Sequence, residues 1–263
     1  MGADPLEHVA INVALYGVDG RRWTMTERGA HSVDRDATTL RIGASTLAWK
    51  DGGLTIEIDE VTAPWPSRVR GTVRLQAAAI HDEAYPLDAA GRHVWQPIAP
   101  CASVEVDLDR PRSRWRGHGY LDTNRGSAPL ETDFARWHWS RARDDSGDTT
   151  VLYDVERRDG SALAVALAFD RHGHAAAPVQ GPPVCALPRS SWRLGRATRS
   201  DAGCAARVVS TLEDGPFYAR SLVRSSLHGS EVTAVHESLD LDRFASPWVL
   251  AMLPFRMPRR ARG

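Results

Sequence analysis

The dominant pattern along the chain is the alternation of apolar and polar residues at every second position, which is the period of a β-strand. In residues 9–15, valine, isoleucine and leucine occupy one side while small or polar residues occupy the other. The same alternation recurs in residues 54–58, 70–75, 103–108 and 150–155. Each of these segments is predicted to form a strand with one buried face.

Turn residues separate the predicted strands at short intervals. They are Asp19-Gly20, Asp51-Gly52-Gly53, Ala63-Pro64-Trp65-Pro66, Asp159-Gly160 and Asp214-Gly215-Pro216. Many short strands joined by tight turns are typical of antiparallel sheets that close into barrels. We therefore predict an all-β fold with few short helices.

Two stretches interrupt this pattern, a polar one at residues 143–148 and a stretch rich in proline and alanine at residues 175–188. We place a domain boundary near residue 145, so that residues 1–145 and 146–263 each form a barrel. A ligand site is then expected in a cleft between the two halves, which is a common location for such sites.

The best candidate for a helix begins near Pro129, where Leu130, Phe134 and Trp137 recur at helical spacing. The alternative is that Trp137-His138-Trp139 begins a strand. The sequence pattern alone leaves both interpretations open.

Composition limits the classes of partner. Lys plus Arg number 33 and so do Asp plus Glu, so no basic field is present and nucleic acid is not an expected partner. No run of about 20 apolar residues could span a bilayer, and residues 1–5 lack the pattern of a secretory signal. The three cysteines cannot all pair within one chain, which fits a reducing, cytoplasmic compartment.

A local cationic cluster near the C-terminus, Arg256-Met257-Pro258-Arg259-Arg260-Ala261-Arg262, lies beside Leu253 and Phe255. One interpretation is a solvated, frayed tail. The other is a peripheral contact with a membrane surface.

Several common chemistries are excluded because the residues they need are missing at the required spacing. The chain has no glycine-rich dinucleotide or P-loop motif, no G-x-S-x-G and no H-E-x-x-H. His172-Gly173-His174 has no third ligand nearby and is interpreted as an exposed turn. No metal site is predicted.

Two short segments carry residues suited to acid–base chemistry. Side chains alternate across a strand, so His93 and Trp95 share one face, and Tyr120 and Asp122 share one face. The plainer interpretation is that the aromatic residues are core packing, His93 is a hydrogen-bonded polar residue and Asp122 begins a turn. Spacing alone favours the plainer interpretation.

These segments, with blocks along nearly the whole chain, resemble the acyclic carotenoid 1,2-hydratases, the hydroxyneurosporene synthases of photosynthetic bacteria. The blocks are Asn12-Val13-Ala14-Leu15-Tyr16-Gly17, Ile58-Asp59-Glu60-Val61-Thr62, His93-Val94-Trp95-Gln96-Pro97-Ile98-Ala99-Pro100, Gly119-Tyr120-Leu121-Asp122-Thr123-Asn124, Trp137-His138-Trp139-Ser140-Arg141, Leu212-Glu213-Asp214-Gly215-Pro216-Phe217-Tyr218-Ala219-Arg220, and the stretch from Pro247-Trp248 to Met257-Pro258. They occur in the family's order.

The resemblance implies two lipocalin-like antiparallel β-barrels, the first of which carries the site. It implies a hydro-lyase that adds water, without a cofactor, to the terminal C1–C2 double bond of acyclic carotenoids such as neurosporene and lycopene. The family's proposed catalytic positions fall on His93, Trp95, Tyr120 and Asp122. The implied location is cytoplasmic and peripheral to the inner, photosynthetic membrane.

Hydration of an isolated alkene requires an acid, shelter for a tertiary cation and one water molecule. A carboxyl group in an apolar pocket has a raised pKa, so Asp122 is the preferred proton donor. Trp95 and Tyr120 suit the cation, and His93 suits the base that activates water. The roles of His93 and Asp122 are interchangeable at this level.

An apolar substrate also predicts a tunnel lined by aromatic residues, and the chain has nine Trp. Trp137, Trp139 and Trp248 are candidates for that lining, although ordinary core packing explains each of them as well. Two other functions remain open on the same fold: a lipocalin-like carrier that binds an apolar pigment unchanged, and a pericyclase.

Overall fold

The computed structural model describes residues 4–17, 20–176 and 180–259. Over these residues the chain is mostly β-strand, and its sheets are built from antiparallel pairs. The prediction of a mostly β chain with few short helices is therefore confirmed. Predictions that rest on residues 1–3, on Asp19, on 177–179 and on 260–262 lie outside the described residues.

The chain divides into two compact units, each made of separate stretches of sequence. Unit 1 contains Met1–Ala77, Ser103–Gly119 and Ala251–Gly263, and unit 2 contains Ala78–Ala102 and Tyr120–Leu250. These ranges differ from the boundary predicted near residue 145, which stays a prediction. Residues on both sides of position 145 belong to unit 2.

Among the described residues, ten strands come from the first half of the chain. A two-stranded sheet pairs β1 (Asn12–Leu15) with β2 (Arg22–Met25). Within the described residues, an eight-stranded sheet contains β3 (Val33–Arg35), β4 (Thr39–Ile42), β5 (Ser45–Lys50), β6 (Gly53–Val61), β7 (Arg68–Ala77), β8 (Tyr85–Pro86), β9 (His93–Arg110) and β10 (Arg112–Gly126). Its order is β10-β9-β7-β6-β5-β4-β3, with β8 paired to β9.

Eight further strands follow in the described part of unit 2. They are β11 (Phe134–Arg143), β12 (Thr149–Arg157), β13 (Ala162–Phe169), β14 (Val184–Leu187), β15 (Arg196–Arg199), β16 (Arg207–Asp214), β17 (Tyr218–Leu227) and β18 (Ser230–Asp240). β14 and β15 form a hairpin, and the other six form a sheet in the order β13-β12-β11-β18-β17-β16. Among the described residues, the hydrogen-bonded order closes neither large sheet into a barrel.

The α-helices are short: α1 spans Leu130–Asp133, α2 spans Leu241–Phe244 and α3 spans Pro247–Arg256. Single 3-10 turns occur at Pro5–Glu7 and Ala30–Ser32. The helix predicted near Pro129 is wrong beyond one turn, because Phe134 already begins β11 and pairs with β12. Within the described part of the chain, no helix has the length and apolar character needed to cross a bilayer.

Four predicted strands are confirmed, since residues 54–58, 70–75, 103–108 and 150–155 lie inside β6, β7, β9 and β12. The prediction for residues 9–15 is right only from Asn12, because Val9 forms an isolated bridge with Arg28. Asp51 and Gly52 make the tight turn between β5 and β6, and both have positive φ, 52° and 73°.

One family block contributes to the core of unit 1 rather than to chemistry. Glu60 is 1% exposed and accepts hydrogen bonds from Arg28 Nη2 and Ser45 Oγ, each at 2.7 Å. A buried charge is tolerated only when it is paired in this way. Glu60 therefore has a structural role.

The described part of the C-terminal cluster is not frayed. The Arg256 guanidinium lies 4.7 Å from the centre of the Trp23 ring, and Arg259 Nη1 lies 2.7 Å from Glu27 Oε1. Both contacts are within unit 1.

Candidate active site

Asp122 is the meeting point of the two segments singled out from the sequence. Its Oδ2 accepts hydrogen bonds from Trp95 Nε1 at 2.8 Å and from the Tyr120 hydroxyl at 3.1 Å. Trp95 is fully buried, and Tyr120 and Asp122 are partly buried. The strand alternation of β9 and β10 thus delivers an indole, a phenol and a carboxyl group to one place in unit 2.

Burial raises the pKa of Asp122 above its ordinary value. The hydrogen bonds from Trp95 and Tyr120 act in the opposite direction, and the negative charge of Glu237 acts in the same direction as burial. The net result is a carboxyl group that holds its proton more strongly than an exposed aspartic acid. Burial likewise raises the pKa of Tyr120, so its phenol stays protonated.

Trp95 and Tyr120, the two donors to Asp122, belong to one hydrophobic cluster. We call six aromatic members of it the aromatic cluster: Tyr85, Trp95, Tyr120, Trp137, Trp139 and Tyr153. Trp95 packs edge-on against Tyr153 with ring centres 5.3 Å apart, and Trp137 packs against Tyr153 at 5.5 Å. Tyr120 packs against Trp139 at 5.2 Å. Such edge and tilted contacts are the preferred geometry of aromatic pairs.

The six-stranded sheet positions half of this cluster by its register. Trp139 of β11 lies opposite Tyr153 of β12 and opposite Glu237 of β18, so the three side chains share one face of the sheet. Trp137 lies two residues earlier and shares that face. Helical spacing in this segment was misleading, because period-2 alternation places both tryptophans on the face of the sheet that carries Tyr153 and Glu237.

Glu237 is held by an ion pair on the same face. Arg220 Nη2 lies 2.7 Å from Glu237 Oε1, and Arg220 Nε donates to the same oxygen at 2.9 Å. The Glu237 side chain is 21% exposed, so water reaches it. Sequence reasoning missed Glu237 and Tyr153, because only the pairing of β11 with β12 and β18 brings them to the site.

His93 belongs to a neighbouring network. Its imidazole is buried, its Nε2 lies 2.8 Å from Asp133 Oδ2, and its ring packs against Phe134 at 4.8 Å. Arg92 makes an ion pair with the same carboxylate. The structure thus brings Trp95, Tyr120 and Asp122 together by hydrogen bonds, whereas the hydrogen-bond partner of the His93 ring is Asp133.

The three tryptophans predicted to line the substrate site fall in two places. Trp137 and Trp139 are members of the aromatic cluster and remain partly exposed. Trp248 lies on α3, is 49% exposed and stacks on Trp192 at 6.1 Å. Its ring contact is therefore with Trp192 and not with the aromatic cluster.

Besides Arg220, a second cationic side chain, that of Arg141, lies on the same face as Trp137 and Trp139. Arg141 follows Trp139 by two residues, and its Nη2 donates to the Pro100 carbonyl at 3.2 Å. Burial lowers its pKa from the usual value. His172 and His174, by contrast, are exposed at a turn, as expected.

Fold and site together define a mostly β protein that holds a partly buried carboxyl group with a raised pKa, hydrogen-bonded to two members of an aromatic cluster. The family profile described as carotenoid hydratase CrtC matches residues 2–263. The chain belongs to this family, which confirms the resemblance drawn from the sequence blocks.

Individual relatives agree with the family profile. An acyclic carotenoid 1,2-hydratase from Thiocapsa roseopersicina is 56% identical over 97% of this chain and 63% of the relative. One from Rubrivivax gelatinosus is 48% identical over 98% of this chain and 64% of the relative. One from Cereibacter sphaeroides is 41% identical, covering 98% and 91%. The chain thus spans a little under two thirds of the first two relatives.

A crystal structure of CghA has a similar fold, with a TM-score of 0.53 over 84% of this chain and 80% of that one. The two sequences are 12% identical, so the likeness concerns the fold alone.

Proposed function

We propose that this chain is a hydro-lyase that adds water to the C1–C2 double bond of an acyclic carotenoid such as neurosporene or lycopene. The observation that supports it is Asp122, a carboxyl group whose pKa is raised by burial and which accepts hydrogen bonds from Trp95 and Tyr120 of the aromatic cluster. Membership of the carotenoid hydratase family and the names of the relatives support the choice of substrate.

The first step in the proposal is protonation. The carboxyl proton of Asp122 moves to C2, the less substituted alkene carbon, and the π electrons form the new C–H bond. This leaves a tertiary cation at C1 and a carboxylate at Asp122. A donor near neutral pH needs a raised pKa, and the burial of Asp122 acts in that direction.

The second step is shelter for the cation. An aromatic face attracts a cation by roughly 0.5 to 2 kcal/mol, and several faces are available here. Trp95 and Tyr120 adjoin Asp122 through their hydrogen bonds, and Trp139 packs on Tyr120. Because the phenol of Tyr120 keeps its proton, it does not compete as a nucleophile.

The third step is capture of the cation by water at C1 and loss of one proton from that water. The sequence-based scheme gives the base role to His93, whose Nε2 is engaged with Asp133. We retain His93 among the proposed functional residues. Its buried network with Asp133 fixes the start of β9, two residues before Trp95.

The remaining parts of the proposal concern architecture and location. We propose that the chain folds into two lipocalin-like barrels and needs no cofactor. We also propose that it is cytoplasmic and contacts the inner, photosynthetic membrane peripherally. An apolar polyene resides in the lipid phase, and α3 exposes Trp248, Leu250, Met252 and Phe255. Exposed apolar residues on one short helix suit contact with a membrane surface.

The function is tested by incubating the purified chain with lycopene or neurosporene in detergent and analysing the product by mass spectrometry. We expect a product heavier by one water, and Asp122→Asn should abolish it while leaving the circular dichroism spectrum unchanged. Asp159→Asn, at an exposed turn, is the matched control and should keep full activity.

Three outcomes would contradict this proposal. Carotenoid that binds and is recovered unaltered would indicate a carrier. A product isomeric with its substrate would indicate a pericyclase. Full hydration by Asp122→Asn would remove Asp122 as the proton donor.

A further inference from the structure

Glu237 is a second carboxylate beside the aromatic cluster. It lies directly opposite Trp139 in the pairing of β11 and β18, and Trp139 in turn packs on Tyr120, which donates to Asp122. Its negative charge is close enough to raise the pKa of Asp122. Two carboxyl groups with different surroundings in one site are a recurring arrangement for a paired acid and base.

The two carboxyl groups differ in their surroundings. Asp122 is partly buried, and its Oδ2 receives hydrogen bonds from Trp95 and Tyr120. Glu237 is partly exposed and faces the positive charge of Arg220. Environment thus separates a group suited to carry a proton from one suited to carry a negative charge and to contact water.

We propose, on the basis of the hydratase function above, that Glu237 is the catalytic base that takes the proton from the attacking water. Asp122 gives one proton to C2, water oxygen forms the bond to C1, and the water's O–H electron pair stays on oxygen as its proton moves to Glu237. Asp122 ends as a carboxylate and Glu237 as an acid. Transfer of that proton from Glu237 to Asp122 restores both groups, and the sum is alkene plus water giving a tertiary alcohol.

Other titratable groups near the site fit the base role less well. His93 Nε2 is already paired with Asp133. His138 lies between Trp137 and Trp139 on β11 and therefore points to the opposite face of the sheet, where Ser238 Oγ contacts it at 2.9 Å. Burial raises the pKa of Tyr153, which keeps its phenol protonated. Arg141 carries a positive charge and is no acceptor.

Deuterium exchange separates the acid from the base. In heavy water, Asp122 delivers a deuteron to C2, which then carries one hydrogen and one deuterium. A cation that is not captured by water reverts to alkene by losing either of them to the Asp122 carboxylate, and loss of the original hydrogen leaves deuterium at C2. We expect Glu237→Gln to lower hydration by about 100-fold or more while deuterium still appears in the recovered alkene. Asp122→Asn should lose both hydration and deuterium incorporation.

A matched control is available on the same strand. Glu231 of β18 faces Arg224 at 3.7 Å but is exposed, so Glu231→Gln should hydrate and exchange as the parent chain does. If Glu237→Gln does not fold because the ion pair with Arg220 is lost, the double variant with Arg220→Gln removes both charges and should show the same loss of hydration with retained exchange.

The outcomes distinguish this inference from the function on which it rests. Full hydration by Glu237→Gln would overturn the base assignment alone, and so would loss of deuterium incorporation in a folded Glu237→Gln variant. Absence of hydration and exchange in the unaltered chain would overturn the hydratase function, and the base assignment with it.

A measurement without substrate tests the same pair. The infrared carbonyl band of protonated Asp122, assigned by its loss in Asp122→Asn, can be followed as pH rises. We expect the band to disappear at lower pH in Glu237→Gln, because one negative charge has been removed, and at unchanged pH in Glu231→Gln. Equal midpoints in the two variants would contradict the coupling of Asp122 with Glu237.

Discussion

Trp95 links the core to the acid at the scale of single residues. Its ring is completely buried, and its only polar atom donates to Asp122 Oδ2 at 2.8 Å. The residue therefore acts in two ways: its ring fills the core, and its N–H stabilises the ionised form of Asp122. Replacement by another aromatic ring separates the two effects, since Phe retains most of the packing and lacks the donor.

We expect Trp95→Phe to raise the pKa of Asp122 further, because a hydrogen bond that lowers it is lost. The proposed mechanism requires Asp122 in its protonated form, so the alkaline limb of the pH–rate profile should move to higher pH. The lost hydrogen bond should reduce the free energy of unfolding by about 1–3 kcal/mol. An alkaline limb that moves to lower pH would contradict the conclusion that this hydrogen bond lowers the pKa of Asp122.

At the scale of elements, the six-stranded sheet presents different chemistry on its two faces. The face with Trp137, Trp139 and Glu237 carries the candidate site. The opposite face buries His138 and His236, whose rings stack at 6.0 Å, and His236 Nε2 donates to the Ala197 carbonyl at 2.7 Å. Because side chains alternate along β11 and β18, neighbouring residues serve unrelated purposes.

Burial lowers the pKa of His138 and of His236 from 6.5 to about 4. The unfolded chain therefore binds more protons than the folded chain between these two values, and stability should fall as pH decreases from 6.5 to about 4. Each imidazole that stays neutral in the folded chain changes the free energy of unfolding by up to about 1.4 kcal/mol per pH unit in this range.

Urea denaturation across this pH window measures the slope. We expect it to flatten when His138 and His236 are both replaced by Gln, whereas the same replacements at exposed His172 and His174 should leave it unchanged. A slope that persists in the first double variant would mean that other groups take up the protons.

The sequence alone predicted part of this arrangement of strands and faces. Alternation correctly placed His93 beside Trp95 and Tyr120 beside Asp122, because strand geometry is local and fixes which neighbours share a face. It did not predict that β11 brings Glu237 and Tyr153 to Asp122, since strand register depends on pairings between distant parts of the chain. The length of the helix at Leu130–Asp133 was overestimated for the same reason, because pairing with β12 outweighed the helical spacing at Phe134.

At the scale of the whole molecule, both units bury polar residues from the sequence blocks that are shared with the family. The role of these residues differs between the two units. Unit 2 contains the candidate site, whereas the block around Glu60 in unit 1 supports a buried ion pair with Arg28. Family resemblance alone cannot separate structural from catalytic roles, because a sequence block is recognised equally well whether its residues stabilise the fold or take part in the reaction. Burial and hydrogen-bond partners make the distinction.

We expect Glu60→Gln to destabilise the protein by about 3–5 kcal/mol, because Arg28 then remains buried without its counter-charge. Thermal and chemical denaturation measure this loss. The matched control is Asp59→Asn, since the half-buried Asp59 forms its ion pair with the exposed Arg68. It should change stability by less than about 1 kcal/mol. Loss of hydration in Glu60→Gln under conditions where the variant is fully folded would argue against a purely structural role.

The aromatic cluster also has an optical consequence. Three of its six members are tryptophans, Trp95, Trp137 and Trp139, and all of them adjoin Asp122 or its aromatic neighbours. A conjugated polyene that enters this cluster becomes an acceptor for their excitation energy, so emission from these three of the nine tryptophans should fall when the candidate site is occupied. The residues proposed to shelter the reaction thereby serve as its internal spectroscopic probe.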